Sequence, residues 1–232
     1  MLEAKKIKKS FGKNLVLKNV SFTAKAGQVT GIIGPNGAGK TTFLKIASTI
    51  LSPSEGSIIY SGNTFWLNKK IRKDIGFVSH EPLLYLDLTP LENLHLFGSL
   101  YGLNLTSQQI ENCLAKINMR AFANKPMRSF SRGMIQSVAF TKAMIHDPHF
   151  VLLDEPFTAM DAHSTQTIKD FIFELIERKK TVLLVMHDLN VCYSLSNRIL
   201  ILSGGEITDD LDTQKMSLKE VSELYHKRIV AS

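Results

Sequence analysis

The feature that most restricts the fold is a single junction. An alternating stretch, VLKNVSFTAKAGQVTGIIG, becomes a continuous apolar strand at residues 29–33. It meets a glycine-rich turn, and the turn opens into TTFLKIASTI, which has helical apolar spacing. Two further apolar strands follow in HFVLLDEP and TVLLVMHD, with the amphipathic helix STQTIKDFIFELIERK between them. Strands this apolar are wet on neither face. Alternating with helices, they predict a parallel sheet covered on both sides. NRILILSGGEITDD predicts a hairpin turning at Gly204 and Gly205.

The remaining segments fill in around that sheet. SPSEGSIIYSGN reads as a turn between strands, and IRKDIGFVS holds another short strand. From Pro82 to about Ile145 the pattern is helical, with Thr106 or Ser107 capping TSQQIENCLAKINM. This block, inserted between the glycine turn and FVLLDE, predicts a side lobe. SFSRGMIQSVAFTKAM reads as another capped helix start. Ser131 is the cap, Gly133 lets a ligand approach the backbone, and Met134, Ile135, Val138 and Ala139 carry the apolar spacing. Such a helix end offers free N–H groups and suits an anion. MSLKEVSELYHK predicts a packing helix near the end of the chain.

Composition bounds the class. The 232 residues are 44% hydrophobic and 21% charged, enough for a real core and against disorder. No apolar run is long enough for a membrane span, no secretory signal is read at the start, and the expectation is a cytosolic protein. Cys113 and Cys192 lack metal-ligand spacing and read as small packed residues. A net charge of +7 permits nucleic acid, nucleotide or an anionic surface without choosing among them.

The glycine turn carries the chemistry. GPNGAGKT fits G-x-x-x-x-G-K-[ST], a match expected by chance in on the order of one chain in a hundred of this length. The backbone of Gly34, Pro35, Asn36, Gly37, Ala38 and Gly39 can wrap a phosphate, with Thr42 just beyond. Lys40 can neutralise the β and γ oxygens, and the Thr41 hydroxyl can ligate Mg²⁺. FVLLDE places two carboxylates at a strand end. Asp154 suits Mg²⁺, usually through water, and Glu155 can take a proton from an attacking water. His187, ending the next strand, can reach the γ-phosphate and orient that water. Ligands in such sheets sit at the carboxyl ends of strands, where all of these residues fall. Together they predict ATP hydrolysis by electrostatic preorganisation.

At this point the sequence resembles the ATP-binding-cassette (ABC) ATPases, the nucleotide-binding subunits of ABC transporters, over nearly its whole length. GPNGAGKT resembles the Walker A motif and FVLLDE the Walker B motif with its adjacent glutamate. FSRGM stands where the family signature is usually LSGGQ, TAMD resembles the D-loop with Asp161, and His187 resembles the switch histidine. Phe11 matches the aromatic that stacks on adenine, with Val16 beside it. The resemblance implies one cassette over residues 1–232. It would be an α/β P-loop NTPase with a RecA-like parallel-sheet core, an N-terminal antiparallel β subdomain and an inserted α-helical subdomain at about 82–145.

The resemblance also implies a head-to-tail dimer in which Ser131, Arg132, Gly133 and Met134 act in trans on the partner's ATP. The implied cofactors are ATP and Mg²⁺. The implied partners are a second ATPase subunit and an integral membrane permease at the cytoplasmic face, with no direct nucleic-acid contact. Two of the motifs depart from the pattern. Arg132 replaces a glycine and Met134 a glutamine in the signature, and His80 stands where a metal-sensing glutamine is usual. Coupling to the membrane partner suits His80 better than metal coordination. VSHEPLLYLDLTPLENLHLFGSLYGL, with FSRGM and LLDEPFTAMD, resembles the heme-exporter group linked to cytochrome c maturation. The rival readings are a soluble ABC ATPase acting on nucleic acid or ribosomes, resting on the basic balance, and a degenerate cassette, resting on Arg132 and His80.

Overall fold

The computed structural model describes residues 1–64 and 68–230. The chain begins in a strand for which the sequence pattern gives no clear signal. Strand β1 (Leu2–Phe11) pairs antiparallel with β2 (Asn14–Ala24), and the hairpin turns at Gly12. Leu2, Ala4 and Ile7 are buried, while lysines take most of the outward positions. A register shift between Ala4 and Ile7, with Lys6 at φ 48, is a bulge that breaks simple alternation.

SPSEGSIIYSGN is also corrected. After α1 (Lys40–Ala47) its EGSIIY portion is itself a strand, β4 (Glu55–Tyr60), paired with β1, and the turn falls at Ser61 and Gly62 before the short β5 (Asn63–Thr64). Its small polar residues hid a strand that buries Ile58 and Tyr60. These four strands form one antiparallel sheet in the order β2-β1-β4-β5.

The second sheet is the expected parallel one. β3 (Gln28–Ile33), β6 (Ile75–Val78), β7 (Phe150–Asp154), β8 (Thr181–Val185), β9 (Arg198–Ser203) and β10 (Glu206–Asp212) lie in the order β10-β9-β3-β8-β7-β6. All are parallel except the edge strand β10, which makes the expected hairpin with β9. Alternate residues of each strand feed two different cores. Val29, Ile33, Val151, Leu153, Val182 and Leu184 face a core with Leu94, Ile110, Phe140 and Ile168 from the helices. Ile32, Leu152, Leu183 and Leu200 face α1 and the antiparallel sheet, packing with Phe43, Ile7 and Tyr60. Most helices thus cover one face, and the other is closed by α1 and the second sheet. Each large apolar side chain fully buried this way contributes about 1.5–3 kcal/mol.

Residues 82–89 are not helical, contrary to the helical pattern expected from Pro82 onward. Helices α2 (Pro90–Leu100), α3 (Ser107–Ala115) and α4 (Arg132–Met144) follow, with two single 3₁₀ turns between the last two. Thr106 is the cap of α3 rather than Ser107, in a reciprocal box with Gln109. Thr89 starts α2 the same way: its Oγ1 accepts from the Glu92 N–H at 3.1 Å, and its own N–H donates to Glu92 Oε2 at 2.8 Å. Thr89→Ala is therefore expected to cost about 1 kcal/mol, and Thr89→Ser little. Urea unfolding checks this through a lowered midpoint at unchanged slope.

Helix α5 (Ala162–Glu177) is close to the expected span. Helix α6 (Leu189–Leu195) escapes the sequence pattern because it is only seven residues long; it depends on Asp188, whose Oδ1 accepts from the N–H groups of Asn190 and Val191. Helix α7 (Leu218–Val230) packs as expected, burying Val221 and pairing Arg228 with Asp209 at 2.7 Å.

Candidate active site

Three neighbouring strands, β3, β8 and β7, end at the same edge. Ile32 and Asp154 both stand in register with Val185, the Glu155 N–H donates to the Val185 carbonyl at 3.0 Å, and the Met186 N–H donates to the Ile32 carbonyl at 3.3 Å. The glycine turn, the carboxylate pair and His187 therefore emerge together around a cleft of about 760 Å³. Asn36, Gly37, Ala38, Gly39, Lys40, Thr41, Thr42, Val16, His80, Asp154, Glu155 and His187 line it.

Gly39 precedes α1 at φ 102, a conformation that costs a residue with a side chain, and an added Cβ would lie 2.6 Å from the Leu17 side chain. That backbone directs the first N–H groups of α1 into the cleft. Lys40, 7% exposed, donates from Nζ to the carbonyls of Gly34 at 2.7 Å and Pro35 at 2.9 Å. One of its three N–H bonds remains for an anion. Burial lowers its pKa, opposed by the charges of Glu155 and Asp154.

Asp154 is 1% exposed. Its Oδ1 accepts from Thr41 Oγ1 at 3.3 Å, while Oδ2 has no hydrogen-bond partner among the described residues. Burial raises its pKa, which Thr41, His80 and Lys40 oppose. An orphaned carboxylate oxygen beside a hydroxyl fits a hard, oxygen-seeking cation. No three His, Cys, Asp or Glu among the described residues are arranged to hold a metal ion by themselves. That donor set suits Mg²⁺, which keeps several waters and shares substrate phosphates, better than a cation caged wholly by protein.

Glu155 follows at φ 51, a strained backbone for a side-chain residue, as is Ala159 at φ 59 four residues on. Its pKa is pushed up to about 7 by burial and by the neighbouring Asp154 charge. His187 Nε2 lies 3.3 Å from Glu155 Oε1, close but not aligned as a hydrogen bond, so that buried oxygen has no hydrogen-bond partner among the described residues. Burial and the Lys40 charge lower the His187 pKa. A carboxylate near neutrality beside an imidazole is what proton abstraction from water at pH 7 requires.

Other sequence-derived candidates stand apart. Phe11, 49% exposed, sits beyond the cleft wall on the same hairpin as Val16, with Lys9 Nζ 5.1 Å from its ring centre. Ser131 caps α4 by accepting from the Met134 N–H at 3.2 Å; Arg132 is exposed and Met134 half-buried. None of these signature residues lines the cleft. Gly133 is buried, and an added Cβ would lie 2.6 Å from the Ala159 carbonyl oxygen, so its lack of a side chain admits the loop of its own chain before α5. Asp161 caps α5, accepting from the Ser164 N–H at 2.8 Å and the Ser164 hydroxyl at 3.0 Å. Asn14 lines the cleft without having been a sequence candidate; its two-residue spacing from Val16 on β2 was the available signal.

The comparisons agree with this geometry. The family model described as ABC transporter matches residues 17–158. The ABC transporter ATP-binding protein NatA of Bacillus subtilis is 37% identical over 82% of this chain and 79% of its own. The lantibiotic transport ATP-binding protein SrtF of Streptococcus pyogenes is 30% identical over 99% of this chain and 98% of its own. The solved dimer of the ATP-binding cassette MJ0796, in a post-hydrolysis state with ADP and Pi, superposes with a TM-score of 0.85 at 30% identity, covering 93% of this chain and all of that one. Matched along its length in sequence and in fold, the chain belongs to the ABC transporter family, as an ATP-binding subunit with an ATPase domain.

Proposed function

We propose that this subunit binds Mg²⁺–ATP in the cleft, pairs with a second copy to hydrolyse it, and drives export through a separate membrane permease. The observation that carries this reading is that residues 36–42 of the glycine turn line one cleft with Asp154, Glu155 and His187, Gly34 and Pro35 lying behind them as acceptors for Lys40, while the capped end of α4 with Ser131 lies outside it. In this reading the loop N–H groups and Lys40 hold the β and γ phosphates, and Phe11 stacks on adenine with Val16 beside it. Thr41 and Asp154 would hold Mg²⁺, which supplies charge neutralisation at the transferring phosphoryl group. Glu155 takes the proton of the attacking water, and His187 fixes that water against the γ-phosphate. Ser131 and Arg132 of one copy cover the nucleotide of the other, with Gly133 seating them on Ala159 and Asp161 anchoring the start of α5. His80, on the cleft rim, links the site to the membrane partner.

Among the described residues no helix is long and apolar enough to cross a membrane, consistent with a peripheral place at the cytoplasmic face. A relative named for Nod factor export, 32% identical over 86% of this chain, supports export as the direction. The finer reading, heme export, rests on the resemblance of VSHEPLLYLDLTPLENLHLFGSLYGL, FSRGM and LLDEPFTAMD to the heme-exporter group.

The test is a pull-down from solubilised native membranes with tagged Glu155→Gln protein and ATP, since that substitution should hold the closed dimer. A co-purifying multi-span protein is the expected result. Ribosomal proteins or nucleic acid in its place would overturn the transporter reading in favour of the soluble one.

A further inference from the structure

Lys142 lies near the end of α4 and faces no carboxylate within salt-bridge distance among the described residues. Its ammonium instead donates to two main-chain carbonyls of the loop after β6, Pro82 at 2.9 Å and Leu83 at 3.3 Å, and sits 5.0 Å from the Phe97 ring centre on α2. Leu83 is held at φ 51, a strained conformation that persists only where its surroundings impose it. Burial moves the Lys142 pKa down to about 8, so the charge is kept against a desolvation cost. A methionine would fill the same space without that cost, so packing alone does not explain a cation here.

The same loop touches the cleft, for His80, Glu81 and Leu83 all line it. A second fastening holds its far end: Asn93, fully buried, donates to the Tyr85 carbonyl and accepts from the Tyr85 N–H, both at 2.9 Å. The loop's last residues are tied to the turn before Ser131, the Met127 N–H donating to the Leu88 carbonyl at 3.1 Å, the Arg128 N–H to the Leu86 carbonyl at 3.0 Å, and Arg128 pairing with Asp87. Lys142 adds the side-chain bond from the cleft-lining part of the loop to α4, whose other end carries Ser131. Eleven residues of helix separate the two ends, a stiff rod of about 16 Å.

We propose that Lys142 is a positioning residue that makes the cleft-lining loop and the signature end of α4 move as one, so that occupancy of a chain's own cleft sets the pose in which its Ser131 is offered to the partner. This rests on the dimer reading above. It assigns to this side chain the part of the coupling that starts from the cleft-lining residues of the loop.

The experiment places Lys142→Met in the Glu155→Gln chain and measures ATP-driven dimerisation by light scattering, with a fluorescent ATP analogue reporting binding to the monomer. Dimer dissociation should rise about tenfold while monomer affinity for the analogue stays within about twofold, and Lys142→Arg should restore the dimer, as expected of a broken coupling rather than a broken site. In the chain with Glu155 intact, kcat should fall about tenfold at nearly unchanged KM. Dimerisation equal to the parent's, a parallel loss of nucleotide binding, or failure of Lys142→Arg to restore the dimer would each overturn the proposal. Lys142→Gln provides the same comparison if the methionine variant does not fold. If the Glu155→Gln parent itself does not dimerise with ATP, it is the dimer reading that fails. Amide exchange at residues 131–135 then decides this one: ATP should slow it in the parent and not in Lys142→Met, and equal slowing in both would overturn the coupling.

Discussion

Glu155→Gln is expected to lower ATP turnover by about 10²–10⁴-fold while leaving ATP binding within a few-fold of the parent, the size of effect typical of losing a general base. The amide keeps the shape of the side chain but cannot take a proton. The pH dependence adds a second signature. In the free protein the Glu155 carboxyl is raised to about 7, so its basic form is the minority below that pH and the majority above it. kcat/KM for ATP should therefore climb as pH rises through about 7, and Glu155→Gln should lose that limb together with the activity. Stability runs the other way. A carboxyl whose folded pKa is raised favours folding below its ordinary pKa of 4.5 and loses that contribution as pH rises toward about 7. Glutamine cannot ionise, so the variant should melt a few degrees above the parent at pH 8 and close to it at pH 5. Retained turnover, or a kcat/KM profile that keeps its rising limb in the variant, would remove Glu155 from the proton-transfer role.

What was legible in the sequence is what a short window of residues can fix. The strands of the parallel sheet were legible because burial on both faces leaves little room for polar residues, as in FVLLD and TVLLV. The glycine turn was legible because phosphate contact demands a definite spacing of residue types. The strand β1 was not, because its lysines alternate imperfectly around the Lys6 bulge and its apolar partners on β4 lie more than 50 residues away, Leu2 pairing with Tyr60 and Ala4 with Ile58. That Gly133 also makes room for the Ala159 carbonyl was not legible, because that contact joins segments 26 residues apart. Lys142 carried no signal at all: its partners are main-chain carbonyls, which every residue possesses. A side chain that bonds backbone three residues away, as a helix cap does, leaves a pattern in a sequence; one that bonds backbone about 60 residues away does not.

The same division explains why a mixing experiment is the sharpest test of how two copies cooperate. Lys40→Ala should weaken ATP binding by about one to two powers of ten, since it removes a charge-assisted contact to phosphate and leaves the buried Asp154 and Glu155 without their nearest cation. Ser131→Ala should leave binding in the cleft nearly intact, because Ser131 lies off the cleft, yet it should abolish most turnover if that residue serves the partner's nucleotide. Neither variant alone can assemble a whole site. In an equimolar mixture half the dimers are heterodimers. In each, the Ser131→Ala chain supplies an intact cleft to the intact signature of the Lys40→Ala chain, while the opposite site is doubly damaged. Turnover should return to about a quarter of the parent's if the two sites fire independently, and to less if each needs the other occupied. Its failure to return at all, with both variants melting like the parent, would place Ser131 in service of its own chain's nucleotide. The geometry argues against that outcome, because Ser131 does not line its own cleft and is carried on α4, whose Gly133 is packed onto the loop before α5 and whose Lys142 is tied to the loop after β6, so its reach is fixed by the body of its own subunit.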